Sequence, residues 1–112
     1  MSDCLFCKIA AGEIPCTKVK EDDDYLAFRD ISPQAPTHVL AIPKRHVASL
    51  NEAQDDVMLG GLVLFARDVA VEEGLAEAGY RVVLNTMAGA GQTVFHIHAH
   101  VLGGRAMGWP PG

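Results

Sequence analysis

The sequence predicts an α+β domain in which an antiparallel sheet of about five strands carries one long and one short helix. Three observations predict it. Apolar runs of strand length follow one another between turn-forming residues, one central segment has helical periodicity, and a late segment alternates its side chains with period two. A chain of 112 residues is well below the ~250 at which cores divide. With no repeat, low-complexity tract or linker, residues 1–112 read as one domain, with 1–12 as a short N-terminal helical segment and 105–112 as a C-terminal tail.

Cys4 to Ala11 suits a short helix that Gly12 closes and Pro15 keeps from resuming. Strands are expected at Thr17–Lys20, Tyr25–Arg29 and His38–Ile42. The acidic run Glu21 to Asp24 turns between the first two, and Pro33, Pro36 and Pro43 bound the third. Ser49 and Glu52 have capping-box spacing. Beyond them Met58, Leu62, Phe65 and Val69 recur on one helical face, which predicts a helix from about Gln54 to Glu73. Gly60 and Gly61 each weaken that helix by roughly 1 kcal/mol relative to Ala, so close packing against a sheet or a second subunit is expected there. Arg81–Asn85 and Val94–Leu102 complete the strands, joined by the glycine-bearing loop Thr86 to Gln92.

Composition narrows the function classes. With 49% hydrophobic and 21% charged residues the chain has an ordinary globular balance. A net charge of −5, from 9 basic and 14 acidic side chains, lacks the field that draws polyanions, so a nucleic-acid polymer is not an expected partner. The longest apolar stretches, such as Leu62 to Ala66, fall far short of the ~18 residues that span a bilayer. No cationic segment precedes an apolar core near the start, so no membrane partner and a cytoplasmic location are the expectations. Three cysteines is an odd count, and the pair Cys4 and Cys7 points to metal or redox chemistry rather than a structural disulfide. Cys16 has no evident partner and is expected to be buried.

Histidine carries the chemistry. Three of the five occur within Val94–Leu102, where strand alternation places His96, His98 and His100 on one face and Phe95, Ile97, Ala99 and Val101 on the other. At ~3.3 Å per residue His96 and His100 lie ~13 Å apart, so two of the three could share an ion but not all three. Neutral imidazole is nucleophilic and easily protonated near pH 7, so such a row can attack, relay protons and bind an anion. The loop Ala88 to Thr93 leads into the row. Its small residues let main-chain N–H groups approach an anion, and the Thr93 hydroxyl can add a hydrogen bond. One phosphate could then be bound without Lys or Arg.

The segment His96-Ile-His98-Ala-His100-Val-Leu102 resembles the signature of the histidine triad family. FCKIAAGEIP, the stretch Asp30 to His38, GQTVFHIHAHVLGGR and the ending Trp109-Pro110-Pro111-Gly112 resemble its Hint branch, the nucleoside phosphoramidate hydrolases. The resemblance implies a homodimer with a sheet continued across it, a purine nucleoside monophosphate site in each protomer, and hydrolysis of phosphoramidates to AMP and an amine without a catalytic cofactor. It implies that His98 is the nucleophile, that His96 and His38 orient and polarise it, and that His100 contacts the α-phosphate. Gly91, Gln92 and Thr93 would add donors there, Asn85 a contact near the leaving group, Asp30 a hold on the ribose hydroxyls and Ile31 a wall of the base pocket. Thr93 stands where the branch commonly has Ser, which bears on amine preference. Cys4 and Cys7 resemble the N-terminal pair of zinc-bearing relatives, which implies a structural zinc on Cys4, Cys7, His46 and His96. The tail from Arg105 would border the partner's site. A dinucleoside polyphosphate hydrolase, a nucleotidyl transferase and a nucleotide-binding interaction module with little catalysis are the alternatives.

Overall fold

A computed structural model describes residues 3–112. Helix α1 spans Leu5–Ala10. Strands β1 (Lys18–Glu21), β2 (Tyr25–Arg29) and β3 (Thr37–Pro43) follow, then helix α2 (Asp56–Glu72), β4 (Tyr80–Val83) and β5 (Ala99–Gly103). The strands form one antiparallel sheet in the order β1-β2-β3-β5-β4. The α+β expectation holds, with strand boundaries moved by one or two residues except in β5. Among the described residues no helix is long and apolar enough to cross a membrane.

The two faces of the sheet have different tasks. Ala27, Val39, Ala41, Ala99 and Val101 face α2 and pack on Leu62, Phe65, Ala66, Val69 and Ala70. Small strand residues let the helix sit close. Met58, Leu62, Phe65 and Val69 are all buried, as their periodicity requires. The opposite face carries Leu26, Phe28, Leu40 and Ile42, with Phe6 of α1 packed against them.

Two expectations are corrected. Ser49 does not cap the long helix; its hydroxyl accepts from Asn51 N–H and caps a single 3-10 turn, Leu50–Glu52. Asp55 caps α2 instead, accepting from Met58 N–H at 3.0 Å, because the chain is extended at Ala53 between the two. The strand expected from Val94 begins only at Ala99. Its ladder with β3 stops at Ala41–Ala99, since β3 ends in Pro43, whose carbonyl is taken by the His96 ring. Ile97 N–H turns away to Val47 C=O at 2.7 Å. His96 and His98 therefore lie in irregular chain, and the uniform row of imidazoles on one strand face is not formed.

Gly61 has a reason in the fold. A Cβ there would stand 2.2 Å from the Tyr25 hydroxyl, which donates to Met58 C=O at 2.7 Å. We expect Gly61→Ala to destabilise the protein by about 1–3 kcal/mol despite Ala's better helix propensity. In a Tyr25→Phe background the same change should cost less, measured by urea denaturation of the four variants of the cycle.

Candidate active site and metal centre

On the face opposite α2 a cleft of about 570 Å³ opens between α1 and the sheet. Its apolar lining comes from Leu5, Phe6 and Ile9 of α1 with Phe28 and Leu40, and its polar lining from Asp30, Thr93, His98 and His100. Arg29 is the one Lys or Arg lining it among the described residues, and both of its terminal nitrogens are engaged by Glu73 at 2.6 and 3.0 Å. An anion in this cleft is left to neutral donors.

Backbone groups decide which nitrogen of each buried ring holds a proton. Gln34 N–H donates to His38 Nδ1 at 3.0 Å, so the His38 proton sits on Nε2 and is donated to His100 Nδ1 at 2.9 Å. The His100 proton is thereby placed on Nε2. His98 donates from Nδ1 to the His96 carbonyl at 2.8 Å, which leaves Nε2 as a bare lone pair. No buried side-chain nitrogen or oxygen among the described residues lacks a partner. The Nε2 atoms of His98 and His100 accordingly open onto the cleft, one as a lone pair and the other as an N–H donor.

Burial keeps these rings neutral. It lowers the His98 pKa from its ordinary 6.5 against the opposing His96 carbonyl and Asp30. It lowers that of His38 against Asp30, whose carboxylate is 3.4 Å from His38 Nε2. For His100, burial with repulsion from His98 and His38 brings the value down to about 4.

His96 serves a different centre. Its Nε2 donates to Pro43 C=O at 2.7 Å, so Nδ1 is a lone pair, and it faces Cys4 Sγ at 3.3 Å, Cys7 Sγ at 3.5 Å and His46 Nδ1 at 3.3 Å. Cys7 Sγ lies 3.3 Å from His46 Nδ1. Bonds of ~2.0–2.3 Å to one tetrahedral ion imply ligand separations of ~3.3–3.8 Å, so the four donors stand where a zinc ion would want them. The Pro43 carbonyl supplies the outer hydrogen bond that metal-binding imidazoles use. Hydrogen bonds from Ile97 N–H to Val47 C=O and from the Gln92 side-chain amide to Ala48 C=O tie residues 44–49 to 92–97 and bring His46 beside His96.

Asp30, His38 and His100 also cluster within 4.8 Å of one another. There the Gln34 amide makes Nε2 of His38 hold the proton that a metal would have to replace, so this group is a donor chain rather than a ligand set.

The sequence profile of the HIT domain family matches residues 11–107. The chain belongs to the histidine triad family. It is 53% identical over 98% of its length to an uncharacterized HIT-like protein of Synechococcus elongatus, covering 97% of that protein. It is 52% identical to a 14 kDa zinc-binding protein of Zea mays, over 99% of this chain and 89% of that one. With the purine nucleoside phosphoramidase of Escherichia coli it shares 48% identity over 93% and 89% of the two chains. A crystal structure of a HIT family hydrolase from Legionella pneumophila superposes with a TM-score of 0.96 at 57% identity, over 98% of this chain and 100% of that one. A zinc-bound histidine triad protein from Mycobacterium smegmatis gives 0.82 at 35% identity, over 92% and 76%.

Within the triad the three histidines diverge. His98 and His100 line the cleft; the His96 ring does not, and its carbonyl rather than its imidazole orients His98. His38 bonds to His100, not to His98 as expected. Thr93, Asp30 and Ile31 line the cleft, whereas Asn85, Gly91 and Gln92 do not. Gln92 is a buried brace, accepting from Met87 N–H and donating to Ala48 and Val94 C=O, while Gly91, at φ +94°, makes the turn before it. Cys16 is half-buried at the cleft wall rather than in the core. Sequence reasoning missed the wall formed by α1, although the i, i+4 spacing of Leu5 and Ile9 was a signal for it.

His100 gives a pH test. Between its folded value of about 4 and the ordinary 6.5 the unfolded chain binds more protons, so stability rises with pH across that window. The contribution is complete above the ordinary value and is lost as acid approaches the folded one. His100→Gln is expected to flatten the urea midpoint across this range. Proton NMR should show the wild-type ring protonating near the lower limit; protonation at the ordinary value would contradict the donor chain.

Proposed function

We propose that this chain hydrolyses the phosphorus–nitrogen bond of purine nucleoside 5′-monophosphoramidates through a nucleotide transiently held on His98. One observation carries the reading: the His96 carbonyl takes the Nδ1 proton of His98, leaving Nε2 bare and facing the cleft. The apolar lining of the cleft suits a base, Ile31 at its rim a wall for it, and Asp30 the ribose hydroxyls. The name of the Escherichia coli relative supports the substrate class.

In the first step Nε2 of His98 bonds to phosphorus as the P–N bond to the amine breaks, and the amine nitrogen takes the Thr93 hydroxyl proton as the hydroxyl takes one from solvent water. His100 Nε2–H donates to a phosphate oxygen as charge builds there. In the second step water bonds to phosphorus, its proton passes back to solvent and offsets the one taken in the first step, and the bond to His98 breaks, which yields AMP and restores the neutral ring. No step needs a metal. Cys4, Cys7, His46 and His96 would hold a zinc ion whose part is to cross-link α1 to the body of the protein, a reading the zinc-binding relatives support.

The protomer also presents a dimer surface. Val57, Leu64 and Val71 form an exposed apolar stripe on the outer face of α2, Gly60 leaves open space along it, and β4 is an edge of the sheet. Pairing of β4 with its counterpart across a twofold axis would continue the sheet and cover the stripe. The tail lies beside this edge, with Gly108 C=O accepting from Arg81 at 2.7 Å and Trp109 84% exposed, and in such a pairing it would border the partner's cleft.

With adenosine 5′-phosphoramidate, His98→Gln should lower kcat by about 10³-fold or more while AMP affinity is little changed. Mass spectrometry of the quenched wild-type reaction should find AMP attached to His98; its absence under single-turnover conditions would refute the covalent route. Sedimentation should give a dimer for the wild-type chain and a monomer for Leu64→Asp. A wild-type species of 12.0 kDa would refute the pairing.

A further inference from the structure

Cys4 and Cys7 bracket Phe6, so the cluster that can hold a metal and the wall of the cleft share one short helix. Phe6 is 5% exposed and packs edge-on against Phe28 at 5.4 Å and His98 at 5.1 Å. Leu5 and Ile9 beside it complete the α1 side of the cleft.

Six residues are too few for a helix to persist by its own hydrogen bonds, since isolated helices shorter than ~12–15 residues are marginal. Its N-terminus is capped by Cys4 Sγ, which accepts from Cys7 N–H at 3.3 Å, and that sulfur is itself one of the four donors. Without a cation, the contacts of both sulfurs with His46 and His96 are thiol-to-imidazole hydrogen bonds, a weak class.

The phosphate end has other supports. His38 and His100 stand on paired strands and are held through Gln34 N–H. The His96 carbonyl that orients His98 is anchored because the His96 ring is bound to Pro43 C=O at the end of β3. The His96 ring also faces the two sulfurs, and the His98 ring packs on Phe6. The hydrogen bonds that set the His38, His98 and His100 rings are nevertheless made by Gln34, His38 and the His96 carbonyl, and by neither α1 nor a sulfur.

We propose that zinc on Cys4, Cys7, His46 and His96 seats α1 as the base-binding wall, so that metal occupancy sets affinity for the nucleobase and leaves the phosphate end unchanged. Phe6 is the positioning residue that joins the two centres. This rests on the nucleotide reading of the cleft.

The test uses the full chain, zinc-loaded or stripped by a chelator, with metal content measured by elemental analysis and binding of AMP and ribose 5-phosphate by calorimetry. On stripping, AMP affinity should fall by about tenfold or more, the worth of a base contact, with ribose 5-phosphate affinity unchanged and AMP binding restored by zinc. Phe6→Ala should keep its zinc and lose the preference for AMP over ribose 5-phosphate. Equal AMP affinity with and without zinc would overturn the coupling, as would parallel loss of both ligands or less than about a tenth of a zinc per loaded chain. Should stripped protein unfold, Phe6→Ala decides: wild-type AMP preference in that loaded variant overturns the proposal. A loaded wild-type protein that binds neither ligand would overturn the nucleotide reading itself, and the coupling with it.

Discussion

An imidazole has two nitrogens and, when neutral, one proton, so what the protein does with each ring depends on where that proton is held. Here main-chain groups hold it. Gln34 N–H and the carbonyls of Pro43 and His96 set His38, His96 and His98, and His38 in turn sets His100. From those contacts follow a bare nitrogen at the cleft on His98, a donor beside it on His100, and a bare nitrogen toward the sulfurs on His96. Burial supports the arrangement by making a second proton on any ring unfavourable.

The sheet makes this possible by separating its faces. One face is small and apolar and is sealed by α2, which carries most of the core. The other is left to a six-residue helix and to the side chains of the cleft. His38 and His100, on strands β3 and β5, inherit the rigidity of a laddered backbone, while the wall built on α1 depends on contacts made by a few side chains. The two ends of one cleft therefore differ in what holds them in place.

The irregular chain from 94 to 98 is where these demands meet. A continued strand would have left His96 and His98 on one face at one height. Ending the ladder at Ala99 lets His96 turn to the cysteines and His98 to the cleft, and the backbone groups freed by the break become the partners that orient the rings. The backbone groups outside the ladder find other partners, Ile97 N–H at Val47 C=O and the Pro43 and His96 carbonyls at imidazole rings.

Local pattern was enough for much of this protein. The 3.6-residue spacing of Met58, Leu62, Phe65 and Val69 determined the buried stripe of α2, and turn residues marked off the strands along the chain. The residue types of the triad and of the Cys–x–x–Cys pair announced the chemistry, because side-chain periodicity and donor type are properties of neighbours in the chain. What neighbours cannot encode is which distant carbonyl meets which ring nitrogen. That Pro43 would stop a ladder and claim the proton of His96, that Gln34 would polarise His38, and that α1 would form the wall of the cleft depend on contacts between segments tens of residues apart. Those contacts exist only once the sheet has brought the segments together.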